Sequence, residues 1–206
     1  MFKLFSSKPS SESKPSAAGN TPTGGKPASD GKPSYDDFTG KSQVHSDPDE
    51  NEDVKLVRGT VYIALFDTRS SKVYHWGLLV ATNDRTGMLY HNTNEGAGYM
   101  FKAHYRPHIL NSQSLLALVE ISVLDLDHKG ISQLFAQTIR SVPVGEHRCK
   151  TWMFEALWEL SQTGLLGCNI NEWTQMDALE VECVDHVRSV RKGESAMIGH
   201  SRYYGD

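Results

Sequence analysis

The chain has 206 residues, a mass of 23.0 kDa, 38% hydrophobic residues and a formal net charge of −4. That size holds one ordinary domain and an appended tail, and the hydrophobic content is low for a chain that is globular throughout. No concentrated basic stripe accompanies the acidic balance, so electrostatics gives no reason to bring DNA or RNA to it.

The hydrophobic deficit sits at the front. Residues 1–52 are dominated by Ser, Pro, Gly, Lys, Asp and Thr, with almost no aliphatic residue after Leu4. Such a segment cannot bury enough surface to offset the entropy of ordering, and the expectation is a disordered tail. Its last stretch, Asp47 to Asp53, is acidic and reads as a solvated linker. The opening Met1-Phe2-Lys3-Leu4-Phe5 is broken by lysine and followed by serines, so a secretory leader is not expected. Phe2 excludes the usual myristoylation signal, and the lack of arginine together with the prolines argues against a mitochondrial leader. No segment approaches the ~20 apolar residues that cross a bilayer. Cys149, Cys168 and Cys183 form an odd set without CxxC spacing, which points to reduced thiols and a cytoplasmic protein.

From Val54 the patterning becomes that of one α+β domain, expected over 54–192 and followed by a flexible tail over 193–206. Val61, Ile63 and Leu65 alternate with Tyr62, Ala64 and Phe66, apolar on both faces as a central strand requires. Lys72 to Thr82 repeats that character, and Asn83-Asp84-Arg85-Thr86-Gly87 reads as a hairpin connection to Met88-Leu89-Tyr90-His91-Asn92. Asn94-Glu95-Gly96 is a second turn signal. Tyr99 to Tyr105 reads as a strand that stops before Pro107, and Ser114 to Val123 as another.

The period then changes. Ile131, Leu134, Phe135, Thr138 and Ile139 fall at helical spacing and end near Pro143. In the next helix Cys149, Trp152, Met153, Ala156, Leu157 and Leu160 share a face, which turns the thiol inward, and Gly164 or Gly167 ends it. A last helix, about Glu172 to Val190, carries Met176, Leu179, Cys183, Val187 and Val190 on one stripe. The expected architecture is an antiparallel sheet of four to five strands packed on three helices.

The sharpest chemistry is the pairing of Cys149 with His75. A thiol opening a helix feels unpaired N–H groups and the positive end of the helix dipole, both of which favour thiolate. A strand-borne imidazole in Tyr74-His75-Trp76-Gly77 is suited to hold its proton.

Four blocks, Tyr74-His75-Trp76-Gly77-Leu78-Leu79-Val80, Tyr90-His91-Asn92, Arg140-Ser141-Val142-Pro143-Val144 and Cys149-Lys150-Thr151-Trp152-Met153-Phe154-Glu155-Ala156-Leu157, resemble a fungal domain family of unknown function. That family often has asparagine before the cysteine; here the residue is Arg148, so a role carried by that amide does not transfer. More distantly, the order strand histidine, second histidine, helix cysteine is similar to circularly permuted papain-like folds of the lecithin-retinol-acyltransferase kind. That resemblance implies Cys149 as nucleophile, His75 as its base and His91 as the group orienting the imidazole. The implied chemistry is acyl transfer or hydrolysis of an amide, ester or thioester.

Hairpin register decides whether the triad can form. A three-residue loop, Asn83 to Arg85, puts His91 opposite Gly77 and diagonal to His75 on the same face. A four-residue loop, Asn83 to Thr86, moves His91 to the other face.

Other candidates fall short of a site. His104 and His108 flank Pro107 with no cysteine pair to complete a zinc site, so no metal is expected, and Glu95-Gly96-Ala97-Gly98 is no phosphate loop, so no cofactor is expected either. Trp152, Trp158 and Trp173 read as packing between helices and sheet. Two functions remain: a cytosolic cysteine hydrolase or acyltransferase acting on a small-molecule or peptide substrate, or a non-catalytic binding or accessory protein on the same scaffold, with Cys149 and His75 kept as core.

Overall fold

The computed structural model describes residues 54–204 apart from 71–72, 95, 97, 146–147 and 169. The expectations for residues 1–52 lie outside that range. Strands β1 (Thr60–Ser70), β2 (Val73–Ala81), β3 (Gly87–Asn94), β4 (Tyr99–Arg106) and β5 (Leu115–Val123) are followed by helices α1 (Ile131–Ser141), α2 (Cys149–Gln162) and α3 (Thr174–Arg191), and by a short strand β6 (Ile198–His200).

The described residues form one six-stranded sheet in the order β4-β3-β2-β1-β5-β6. The expected count of four to five strands is therefore one or two short. Neighbours β4 to β5 pair antiparallel, whereas β6 lies parallel to β5. A three-residue strand with a central glycine has no readable period, and β6 is formed by its tertiary partners instead. Leu118 N–H donates to the Met197 carbonyl and Ser201 N–H to the Glu120 carbonyl, each at 2.9 Å. Residues 198–200, set apart in the sequence as part of a tail, thus extend the sheet. Gly199 permits this approach, because a Cβ there would meet the His186 ring at 2.6 Å.

β1 occupies the middle of the sheet and is buried on both sides, as its doubly apolar pattern requires. One face receives all three helices. Val61, Ile63 and Leu65 of β1 and Trp76, Leu78 and Val80 of β2 pack there with Phe135 and Ile139 of α1, Trp152, Met153 and Leu157 of α2, and Leu179, Cys183 and Val187 of α3. Tyr62, Ala64, Phe66, Leu79 and Leu89 turn the other way, into a smaller core with Leu56 and Ile109. Each large side chain buried this way stabilises the fold by roughly 1.5–3 kcal/mol. The cysteine helix lies against the sheet, fixed by the Trp76–Phe154 and Phe101–Trp152 ring contacts at 5.5 Å each. No helix among the described residues is long and apolar enough to cross a membrane.

Candidate functional site

The β2–β3 turn sets the register on which the histidines depend. Asn83 Oδ1 accepts from the Arg85 and Thr86 N–H groups, both at 2.9 Å, and Thr82 N–H donates to the Thr86 carbonyl at 2.9 Å. This asparagine-closed turn is the three-residue alternative. It places Gly77 opposite His91, so His75 and His91 are diagonal on one face. Gly77 keeps the space between them open: a Cβ there would lie 3.2 Å from His91 Cβ and 3.0 Å from Leu89 Cδ1.

The two imidazoles meet. His75 Nε2 lies 2.7 Å from His91 Nδ1, with the rings nearly perpendicular and their centroids 4.9 Å apart. A bond between two ring nitrogens needs a proton on one and a lone pair on the other, which is natural for a neutral pair. Burial lowers the pKa of His75. His91 is pushed down to about 3, first by burial, then by the positive character of His75, His104, Arg106 and Lys102. Only the arrangement in which His75 Nε2 donates leaves His75 Nδ1 able to accept a proton. In that arrangement His91 carries its own proton on Nε2, an atom that is buried and meets no hydrogen-bond partner among the described residues.

Cys149 is the first residue of α2, and Arg148 before it is extended and contributes no side-chain cap. The N–H groups of the first turn are thus left to whatever occupies the space above them. The thiol is half-buried, and its sulfur lies 3.9 Å from the Tyr74 carbonyl. It packs on the helix side of the sheet, beside Tyr74 and the Trp76 core.

Strand alternation separates it from the imidazole. Trp76 faces α2 through Phe154, so its neighbour His75 faces the other way, with its ring centroid 6.0 Å from that of Phe66. No hydrogen bond joins Cys149 to His75, although both contribute to the wall of one cleft of about 230 Å³ at the end of the sheet. Folding therefore unites His75 with His91 and leaves Cys149 across the strand from them.

Asn92, Asn94 and Tyr99 also line that cleft, and sequence reasoning passed over them. Asn92 is fully buried on the helix side of β3, two residues from Tyr90. The period-two pattern of β3 held the signal, since a polar residue in phase with Tyr90 must point into the core. His104 sits on β4 with its ring centroid 5.4 Å from that of His91, and His108 precedes the turn Ile109–Asn111. Cys168 and Cys183 are elsewhere; burial raises both thiol pKa values, that of Cys183 far above the usual thiol range.

The model of a family of unknown function, DUF6540, matches residues 61–167. The chain belongs to this family. No curated protein and no solved structure matches it. The DUF6540 region runs from β1 to just past α2 and contains every residue of the cleft, while α3 and β6 lie beyond it.

Proposed function

We propose that this DUF6540 protein is a binding or accessory module on a permuted papain-like scaffold, receiving a small molecule or an extended peptide in the cleft beside Cys149. The observation that carries this reading is the separation of thiol and base by strand β2. A general base works within about 3 Å of the proton it takes, or through one water. Here the close neighbour of the sulfur is a backbone carbonyl, and the imidazole is engaged with His91 on the opposite face. The cleft offers amide and phenol groups from Asn94 and Tyr99, which suit hydrogen bonding to a polar ligand. The scaffold assignment rests on the order strand histidine, second histidine, helix cysteine. The resemblance to a fungal family makes a fungal pathway its setting, and three free thiols suit the cytoplasm.

A second reading, a cysteine hydrolase or acyltransferase with Cys149 as nucleophile, is favoured by the uncapped α2 N-terminus and by the cleft that Cys149 shares with His75. The two part on one measurement, the pH dependence of Cys149 alkylation by iodoacetamide in the wild type and in His75→Gln. The binding reading expects rates within twofold of each other at every pH. A tenfold or larger loss in His75→Gln below pH 7 would overturn it in favour of the enzyme.

A further inference from the structure

The β3–β4 ribbon closes one end of the sheet and joins the rest through β2. On the face turned away from the helices it gathers bases and cations. His91 comes from β3, with Lys102 directly opposite it on β4; His104, paired with Leu89, and Arg106, paired with Gly87, share that face. His75 of β2 completes a row of three imidazoles, with centroid spacings of 4.9 and 5.4 Å. Neither β3 (GMLYHNTN) nor β4 (YMFKAHYR) contains a carboxylate. From β1 the Phe66 ring lies against His75, with centroids 6.0 Å apart. Among the described residues, the charged or titratable groups that bear on His91 are His75, His104, Arg106 and Lys102, each of which disfavours its protonation.

We propose that the β3–β4 ribbon is an acid-responsive element, in which protonation of the His75, His91 and His104 row sets like charges side by side on a half-buried face and opens the β2–β3 ladder around the Gly77–His91 pair. The hydrogen bond between His75 and His91 has the matching logic. It requires one lone pair, and when both rings are protonated two donors confront each other across 2.7 Å. Burial lowers the pKa values of all three histidines in the folded ribbon, and neighbouring positive groups lower those of His91 and His104 further. An opened ribbon regains the ordinary histidine pKa and takes up protons, so opening is favoured progressively as pH falls below 6.5.

The other face of the ribbon resists, because Tyr90 packs on Phe135 and Phe101 on Trp152. The response is therefore confined to the strand pairing, with the helix-side rings acting as a hinge. Asn92, Asn94 and Tyr99 reach the cleft from this ribbon, so acid would also dismantle that wall. This last consequence rests on the binding reading, whereas the opening itself does not.

Amide hydrogen exchange on the full chain at pH 7.5 and 5.0, corrected for intrinsic rates and read without any ligand, tests the ribbon separately from the binding reading. Protection over Leu89–Asn92 should fall at least tenfold at pH 5.0 while Val61–Leu65 in β1 is unchanged. His91→Gln should abolish the fall, and His104→Gln, an exposed position that tolerates change, should reduce it below threefold. Titration of the histidine ring resonances in the wild type supplies the same answer should His91→Gln fail to fold, since the transitions must coincide with loss of ribbon protection. Equal loss in β1 and β3, an undiminished loss in His104→Gln, or ring titration with the ribbon still protected would each overturn the proposal.

Discussion

Trp152 gives a quantitative test of how the cleft is held. It lies in the first turn of α2, is fully buried, and packs tilted against Phe101 of β4 with ring centroids 5.5 Å apart, linking the cysteine helix to the ribbon that builds the cleft wall. Its Nε1 is buried and meets no acceptor among the described residues. Replacing it by Phe does two opposing things. The smaller ring leaves roughly 40 Å³ unfilled, which at about 24 cal/mol per Å³ plus the lost transfer energy costs about 1–2 kcal/mol. Deleting a buried donor that has no partner returns about 1–3 kcal/mol. The terms nearly cancel, so Trp152→Phe should unfold within about 1 kcal/mol of the wild type, while Trp152→Ala, which opens a cavity and keeps no ring on Phe101, should lose about 3–5 kcal/mol. Urea unfolding at fixed pH, with the slope checked to be common to all three proteins, measures both. A Trp152→Phe loss above about 3 kcal/mol would refute the reasoning, because it would mean that the indole N–H is bonded in the native state.

Four further outcomes are expected. The His91 folded-state pKa of about 3 lies below the ordinary 6.5, so the unfolded chain binds the proton first. Stability should therefore be whole above pH 6.5 and fall towards pH 3, by a ceiling of about 5 kcal/mol from this group, and His91→Gln should flatten that slope in chemical denaturation. Gly199→Ala pushes a methyl to 2.6 Å from the His186 ring and should cost about 1–3 kcal/mol, most of it recovered in the Gly199→Ala/His186→Ala double variant; additive losses would show the contact to be incidental. His200→Ala removes the 2.6 Å partner of the buried Glu120 carboxylate and should cost about 1–3 kcal/mol, read as a lower melting temperature. Mass spectrometry of the native protein after brief iodoacetamide treatment should find Cys149 labelled first and Cys183 last, and comparable labelling of Cys183 would contradict its burial.

The parts of the fold that follow from residue pattern were legible. β1 announces a central strand by being apolar on both faces, and α2 and α3 announce themselves by stripes that the structure buries. β6 was not legible, since its place is set by Glu120, Leu118 and His186, residues far away in the chain. The site was legible in its register but not in its partnership. Asn83 closes the three-residue loop, which brings His91 to His75, as one of the two alternatives required. The sequence left open which alternative holds, because both loops use the same turn residues. Asn92 was passed over and His104 was weighed only as a zinc ligand for a common reason: each acquires its place from a neighbour on another strand.

The same alternation explains why Cys149 and His75 do not meet, and why that arrangement is firmly held. His75 and Trp76 are adjacent, so one of them can face α2, and Trp76 does so against Phe154. Turning His75 towards the thiol by slipping β2 one residue would swing Trp76, Leu78 and Val80 out of the helix-side core and drive Leu79 and Ala81 into it. Taking three large side chains out of the helix-side core forfeits roughly 5–9 kcal/mol of burial there, comparable to the whole stability of a domain this size, and forces them into a smaller core already filled by Leu89 and Ile109. The Asn83 turn pins the same register from the other end. A hydrolytic role would therefore have to draw its base from the helix side of the sheet, where Asn92, Asn94, Tyr74 and Tyr99 line the cleft, while His75 reaches the cleft wall from a strand position that turns its ring to the opposite face.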